Sequence, residues 1–120
     1  MLTIYAGLST LAAPYFTIPL PDQQVDLNSN VLWICMADGV PTVTYGWYIN
    51  ATAFSAAQAL MLPADKARFS VTGNRLSITN VQPQDAGMYQ CSAENTHGMR
   101  LSSAQLRVLC ECAAGGGVGA

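Results

Sequence analysis

The sequence predicts an all-β domain, a sandwich or barrel of many short strands. Between residues 14 and 109 the apolar residues recur with a period of two rather than 3.6. Clusters of Pro, Gly and Asn interrupt this alternation at short intervals. The chain has 120 residues, of which 51% are hydrophobic and 10% are charged. It is therefore long enough for one domain, and its apolar content excludes a disordered chain.

The alternation predicts strands within residues 31–36, 43–49, 76–78, 88–93 and 104–108. Residues 51–67 differ from the rest because they are rich in Ala and are interrupted by Pro63. We expect them to form a long connection with at most a short edge strand or one helical turn. Residues 1–13 are apolar but make a poor signal peptide, and residues 110–120 end in a Gly/Ala tail. The predicted domain therefore spans residues 14–109, between an N-terminal extension and a disordered tail.

The phase of the first strand separates buried from exposed positions. Cys35 shares its face with Val31 and Trp33, and this face should point inward. The opposite face presents further apolar side chains, namely Leu32, Ile34 and Met36, while Met88 should face outward on the other sheet. A contiguous group of exposed apolar residues indicates a covered contact surface. The alternative is that the phase is misassigned.

The four cysteines do not form one set. Cys110 and Cys112 are close-spaced, but no second pair or nearby His completes a zinc site, so we expect no metal and no cofactor. A bridge between Cys35 and Cys91 would close a loop of roughly 57 residues and contribute about 4 kcal/mol by chain entropy. Such a bridge persists only in an oxidising compartment, so this pairing and an extracellular location depend on each other.

Charge and motif content exclude several function classes. The chain has 5 Lys+Arg against 7 Asp+Glu, which leaves no basic surface for nucleic acid. It also lacks the run of about 20 apolar residues that direct membrane insertion requires. The single histidine, His97, lies in a turn signal without a nucleophile motif, so the sequence indicates no enzyme. Asn50-Ala51-Thr52 is an acceptor triplet for N-glycosylation in a predicted loop.

Three features in order resemble an immunoglobulin domain of the I-set. Trp47 follows Cys35 by 12 residues, and residues 85–91 read DAGMYQC, with a Tyr two positions before the second Cys. The resemblance implies a Greek-key sandwich of two antiparallel sheets. It also implies that a Cys35–Cys91 disulfide joins the sheets and that Trp47 packs against the sulfur atoms.

The same resemblance implies a set of structural contacts before the second cysteine. The hydroxyl of Tyr89 should bond to a backbone group just upstream, and Gly87 should allow the tight backbone there. Asp85 has an expected partner in Arg68, which follows the Ala-rich connection. If that pair is partly buried, losing one member costs more than an exposed pair contributes.

A narrower resemblance points to the contactins of invertebrates. Residues 14–20 (PYFTIPL) look like the opening of one of their immunoglobulin repeats, and residues 86–95 with 102–109 look like its close. Contactins are extracellular, lipid-anchored proteins of stacked modules that bind other adhesion proteins. The tail after Leu109 and the Ala-rich connection depart from that pattern.

The sequence therefore predicts a non-catalytic recognition module of a contactin-like adhesion protein at the cell surface. Its expected partners are other cell-surface adhesion proteins and adjacent immunoglobulin modules. Two alternatives keep the same fold: a module of a receptor ectodomain, or an intracellular structural module of the kind found in muscle proteins. A glycan on Asn50 would argue against the intracellular alternative.

Overall fold

A computed structural model describes residues 11–109. The remaining residues, including most of the N-terminal extension, the tail, Cys110 and Cys112, lie outside the described part. The strands are β1 (Ala12–Ile18), β2 (Gln23–Asp26), β3 (Val31–Ile34), β4 (Met36–Val40), β5 (Thr44–Ile49), β6 (Thr52–Ala53), β7 (Phe69–Thr72), β8 (Arg75–Ile78), β9 (Gly87–Asn95) and β10 (Gly98–Leu109). The helices are α1 (Phe54–Ala59), α2 (Pro63–Lys66) and a 3-10 turn at Pro83–Asp85.

The strands form two layers. One layer contains the sheet β3-β8-β7 and the pair β1-β4, which are connected because only Cys35 separates β3 from β4. The other layer is the five-stranded sheet β2-β10-β9-β5-β6. Inward-facing apolar side chains of both layers make one core, so the all-β sandwich predicted from the alternation is confirmed.

The first segment of the described chain contributes to both layers. β1 pairs with β4, and β2 then crosses to the other layer and pairs with β10 in the parallel direction. Pro19 and Pro21 lie between the two strands and lack the N–H that a continuous ladder needs. One sheet pairing is therefore parallel, where the sequence predicted only antiparallel ones. β1 also begins at Ala12, two residues before the predicted start of the domain.

The connection over residues 51–67 holds more regular structure than the sequence predicted. It contains the two-residue edge strand β6 and two short helices, so the expectation of at most one helical turn was wrong. Pro63 starts α2 at a position where its missing N–H has no helical partner, instead of ending the local structure. The ring of Phe54 in α1 lies 6.5 Å from that of Phe69 in β7, which attaches the connection to the core.

Candidate functional site

The disulfide joins the two layers at their centre. The Sγ atoms of Cys35 and Cys91 are 2.08 Å apart, and both residues are fully buried, so the predicted bridge is confirmed. Trp47 of β5 lies directly opposite Cys91 of β9 in the strand register. Its indole is buried in the same core cluster and donates from Nε1 to the carbonyl of Gly73 at 3.0 Å.

A second tryptophan shares this core, at the inward-facing position that the alternation predicts for it. The ring of Trp33 lies 4.8 Å from that of Tyr89, and both residues are almost fully buried. Trp33 also donates from Nε1 to the carbonyl of Pro21 at 2.8 Å. This hydrogen bond attaches the core to the segment between β1 and β2, where the chain crosses from one layer to the other. The sequence signal for this role is the position of Trp33 two residues before Cys35, because residues two apart share one face of a strand.

Tyr89, Asp85 and Arg68 meet at one end of the sandwich. The hydroxyl of Tyr89 donates to the backbone carbonyl of Asp85 at 2.7 Å. The Asp85 carboxylate accepts from both terminal nitrogens of Arg68 and, at 2.8 Å, from the backbone N–H of Gln82. Arg68 also bonds to Asp65 at 2.9 Å. These contacts hold the loop before β7 against the turn before β9.

Burial and charge shift the pKa values of Arg68 and Tyr89 at this end of the sandwich. The hydrogen bond to Asp85 is the largest influence on Arg68 and raises the pKa of its guanidinium, although burial opposes the shift. Burial raises the pKa of the Tyr89 phenol well above its usual range, and the Asp85 charge adds to the effect. Arg68 therefore stays charged and Tyr89 stays neutral, as their hydrogen bonds require.

Gly87 is explained by its contact with Asn50, which the sequence marks only as a glycan acceptor. Asn50 donates its backbone N–H to the carbonyl of Met88 at 2.8 Å, and its Oδ1 accepts from the N–H of Met88 at 3.0 Å. A Cβ on Gly87 would lie 2.6 Å from that Oδ1, and Gly87 has a φ of +153°. Only glycine leaves room for the carboxamide there.

The outward-facing apolar residues named from the sequence lie on two different layers. Leu32, Ile34 and Met36 occupy alternate, outward-facing positions along β3 and β4, and they are 48%, 40% and 44% exposed. Ile18 of β1 lies directly opposite Met36 and extends the line. We call these four residues the apolar row. Met88 is 39% exposed on β9, in the other layer. Ile18 was missed because its strand was not identified from the sequence.

Neither a metal-binding cluster nor a buried histidine is present within residues 11–109. Within residues 11–109 there is no cluster of three or more His, Cys, Asp or Glu side chains able to hold a metal ion. His97 is exposed, and its backbone N–H donates to the side chain of Asn95 at 2.8 Å within the turn. None of the helices described is long and apolar enough to cross a membrane.

The sequence of this sandwich matches a family model. Residues 13–95, most of the chain, match the model described as immunoglobulin domain. The chain belongs to the immunoglobulin domain family. The disulfide, the indole opposite Cys91 and the hydroxyl contact of Tyr89 all lie within the matched region.

Among curated proteins, this immunoglobulin domain is similar to contactins. It is 39% identical over 110 residues to Contactin of Drosophila melanogaster, covering 91% of this chain and 7% of that protein. It is 38% identical over 102 residues to human Contactin-4, covering 85% of this chain and 9% of that protein. The chain thus spans less than a tenth of the length of these relatives.

Solved structures show the same immunoglobulin architecture in other settings. The extracellular domains 3–5 of Drosophila OTK superpose with a TM-score of 0.69 at 28% identity, covering 81% of this chain and 32% of that one. The tandem immunoglobulin repeats of Dlar give 0.68 at 28% identity, covering 83% and 48%. A chimeric titin Z1Z2 tandem gives 0.70 at 25% identity, covering 83% and 51%.

Proposed function

We propose that this immunoglobulin domain is a non-catalytic protein–protein recognition module of an extracellular, contactin-like adhesion protein. The observation that carries the proposal is the apolar row, four contiguous exposed side chains on a layer that the disulfide fixes to the core. Apolar side chains at alternating outward positions lower solubility unless another surface covers them. The similarity to contactins over most of the chain supports a cell-surface setting.

The surroundings of the apolar row indicate the chemistry of the partner. Arg75 of β8 lies directly opposite Ile34, and Ser77 lies directly opposite Leu32, so a polar strand borders the row. The partner is another cell-surface protein with an apolar centre and a carboxylate at its rim to meet Arg75. Burial of the apolar centre supplies affinity, and the charge pair supplies orientation and association rate.

The test measures binding of the secreted, disulfide-bonded chain to an array of purified cell-surface ectodomains that includes the chain itself. We expect at least one ectodomain to bind, and Leu32→Ser with Ile34→Ser to weaken it at least about tenfold, the equivalent of about 1.4 kcal/mol. Met88→Ser is the matched control, since it removes an equally exposed apolar side chain from the other layer.

Two results would contradict this proposal. One is that no ectodomain binds the wild-type chain. The other is that the double substitution and Met88→Ser weaken binding equally, because the apolar row would then have no particular role. Arg75→Glu gives a further check, with a slower association rate expected and little change in dissociation.

A receptor ectodomain is the second candidate, because the structures of OTK and Dlar share the fold at 28% identity. The contactin similarity is higher, at 39% and 38%, and therefore favours an adhesion protein. The titin tandem supports a structural module at 25% identity. The full-length transcript separates all three, since each parent protein places different modules beside the immunoglobulin domain.

A further inference from the structure

We propose that Asn50 carries an N-linked glycan, and that this glycan covers the end of β5 and β9 beside Met88. The inference rests on the extracellular location in the proposed function, because only the secretory pathway supplies the modification. Three features of the structure support it: the position of the acceptor, the hydrogen bonds of its carboxamide and the layer from which the glycan projects.

The acceptor lies in the turn of an exposed hairpin. Asn50 and Ala51 join β5 to β6, and their φ values of +49° and +70° are those of a two-residue turn with both central residues left-handed. Asn50, Ala51 and Thr52 are all exposed. The triplet Asn-Ala-Thr therefore lies at the surface of the folded domain and not beneath another element.

The hydrogen bonds of Asn50 are compatible with a glycan. Its Oδ1 accepts from the N–H of Met88, and within residues 11–109 its Nδ2 donates no hydrogen bond to protein. Glycosylation replaces one hydrogen on Nδ2 and leaves Oδ1 able to accept the same bond. Since Gly87 has no side chain beneath the carboxamide, the turn keeps this geometry after modification.

The chemistry requires one co-reactant, an oligosaccharide linked to a lipid pyrophosphate. A bond forms between Nδ2 and the anomeric carbon of the first sugar, and the bond from that carbon to the pyrophosphate oxygen breaks. The lipid pyrophosphate leaves with the bonding electrons, and Nδ2 loses one proton. Thr52 supplies the hydroxyl residue that the acceptor triplet needs two positions after the asparagine.

The position of Asn50 determines which surface the glycan covers. Asn50 pairs with Met88 through two backbone-directed hydrogen bonds, so the first sugar projects beside β9 in the five-stranded layer. The apolar row lies in the other layer, about 10 Å away across the core. The glycan therefore covers Met88 and leaves Met36 accessible. These two methionines are 39% and 44% exposed in the polypeptide, so they form a matched pair of probes.

The occupancy test is the intact mass of the full chain, secreted from eukaryotic cells, before and after treatment with an amidase that releases N-glycans. We expect the mass to fall on treatment, and the peptide containing residue 50 to carry Asp there afterwards. Thr52→Ser should keep the modification and Thr52→Ala should abolish it, while both leave the Oδ1 contact of Asn50 intact. An unmodified mass in secreted wild-type protein would overturn the inference.

The covering test compares oxidation of the two methionines by peroxide in the glycosylated and the enzymatically deglycosylated chain. We expect the ratio of Met88 to Met36 oxidation to rise about twofold on removal of the glycan. An unchanged ratio would refute the covering of Met88. A secreted chain with the Cys35–Cys91 bridge and no glycan counts against this inference alone, whereas a glycosylated chain that binds no ectodomain counts against the proposed function alone.

Discussion

Replacing Arg68 by Met should be among the most destabilising single changes outside the apolar core. Asp85 is only 5% exposed, and Arg68 supplies two of the three hydrogen bonds that its side chain accepts. Removing one partner of a buried ion pair typically costs 3–5 kcal/mol, because the remaining charge is left without compensation. The N–H of Gln82 still bonds to Asp85, so we expect a loss of about 3 kcal/mol, at the lower end of that range.

The assay is equilibrium unfolding in urea with the disulfide intact, followed by the fluorescence of the two buried tryptophans. The midpoint should fall while the slope stays constant. Asp65→Asn is the control, since the side chain of Asp65 is 28% exposed and its contact with Arg68 should contribute less than about 1 kcal/mol. A double-mutant cycle of Arg68→Met with Asp85→Asn should give a coupling of about 2 kcal/mol. Equal effects of Arg68→Met and Asp65→Asn would refute the reasoning.

Three further changes test other parts of the scaffold. Replacing Cys35 and Cys91 together by Ala should cost about 4 kcal/mol by chain entropy, and a loss below about 1 kcal/mol in urea unfolding would contradict this. Ala51→Gly should stabilise the domain by about 0.5 kcal/mol. A left-handed backbone costs about 1–2 kcal/mol at a residue other than glycine, and glycine avoids that strain at some entropic cost. A lower melting temperature of the variant would contradict this. The pKa of Tyr89 is higher in the folded chain than in the unfolded chain. The contribution of its neutral phenol to folding stability is therefore complete below about pH 10 and is lost as the pH rises above that value. Tyr89→Phe should therefore be less sensitive to pH between about 9 and 11, and identical pH profiles would be evidence against this.

The alternation of apolar residues was sufficient to predict the layers because burial has a period of two along a strand. It assigned Cys35 and Trp33 to the inside and Leu32, Ile34 and Met36 to the outside, and the exposures agree with that phase. The Cys35–Cys91 bridge followed from the resemblance to immunoglobulin domains and not from the alternation, which cannot say which strands face each other.

Contacts between distant segments were beyond sequence reasoning. The carboxamide of Asn50 bonds to Met88, 38 residues away, and this contact explains Gly87. The N–H of Leu20 donates to the hydroxyl of Ser102 across 82 residues, where the first segment changes layer. Neither contact leaves a periodic pattern, since each depends on how a turn or connecting segment meets a strand of the five-stranded sheet. The short helices at residues 54–66 were missed for a different reason, because Pro63 ends some helices and begins others.

The same strand that builds the core also determines where the proposed contact surface lies. Because neighbouring residues point to opposite faces, burying Trp33 and Cys35 forces Leu32, Ile34 and Met36 outward in a fixed spacing. Polar residues at these positions would keep an isolated domain more soluble, since apolar side chains there favour association. The disulfide prevents a one-residue shift of register that would exchange the two faces. The apolar row is therefore fixed at the surface without contributing to the core, which is the arrangement that the proposed contact surface requires.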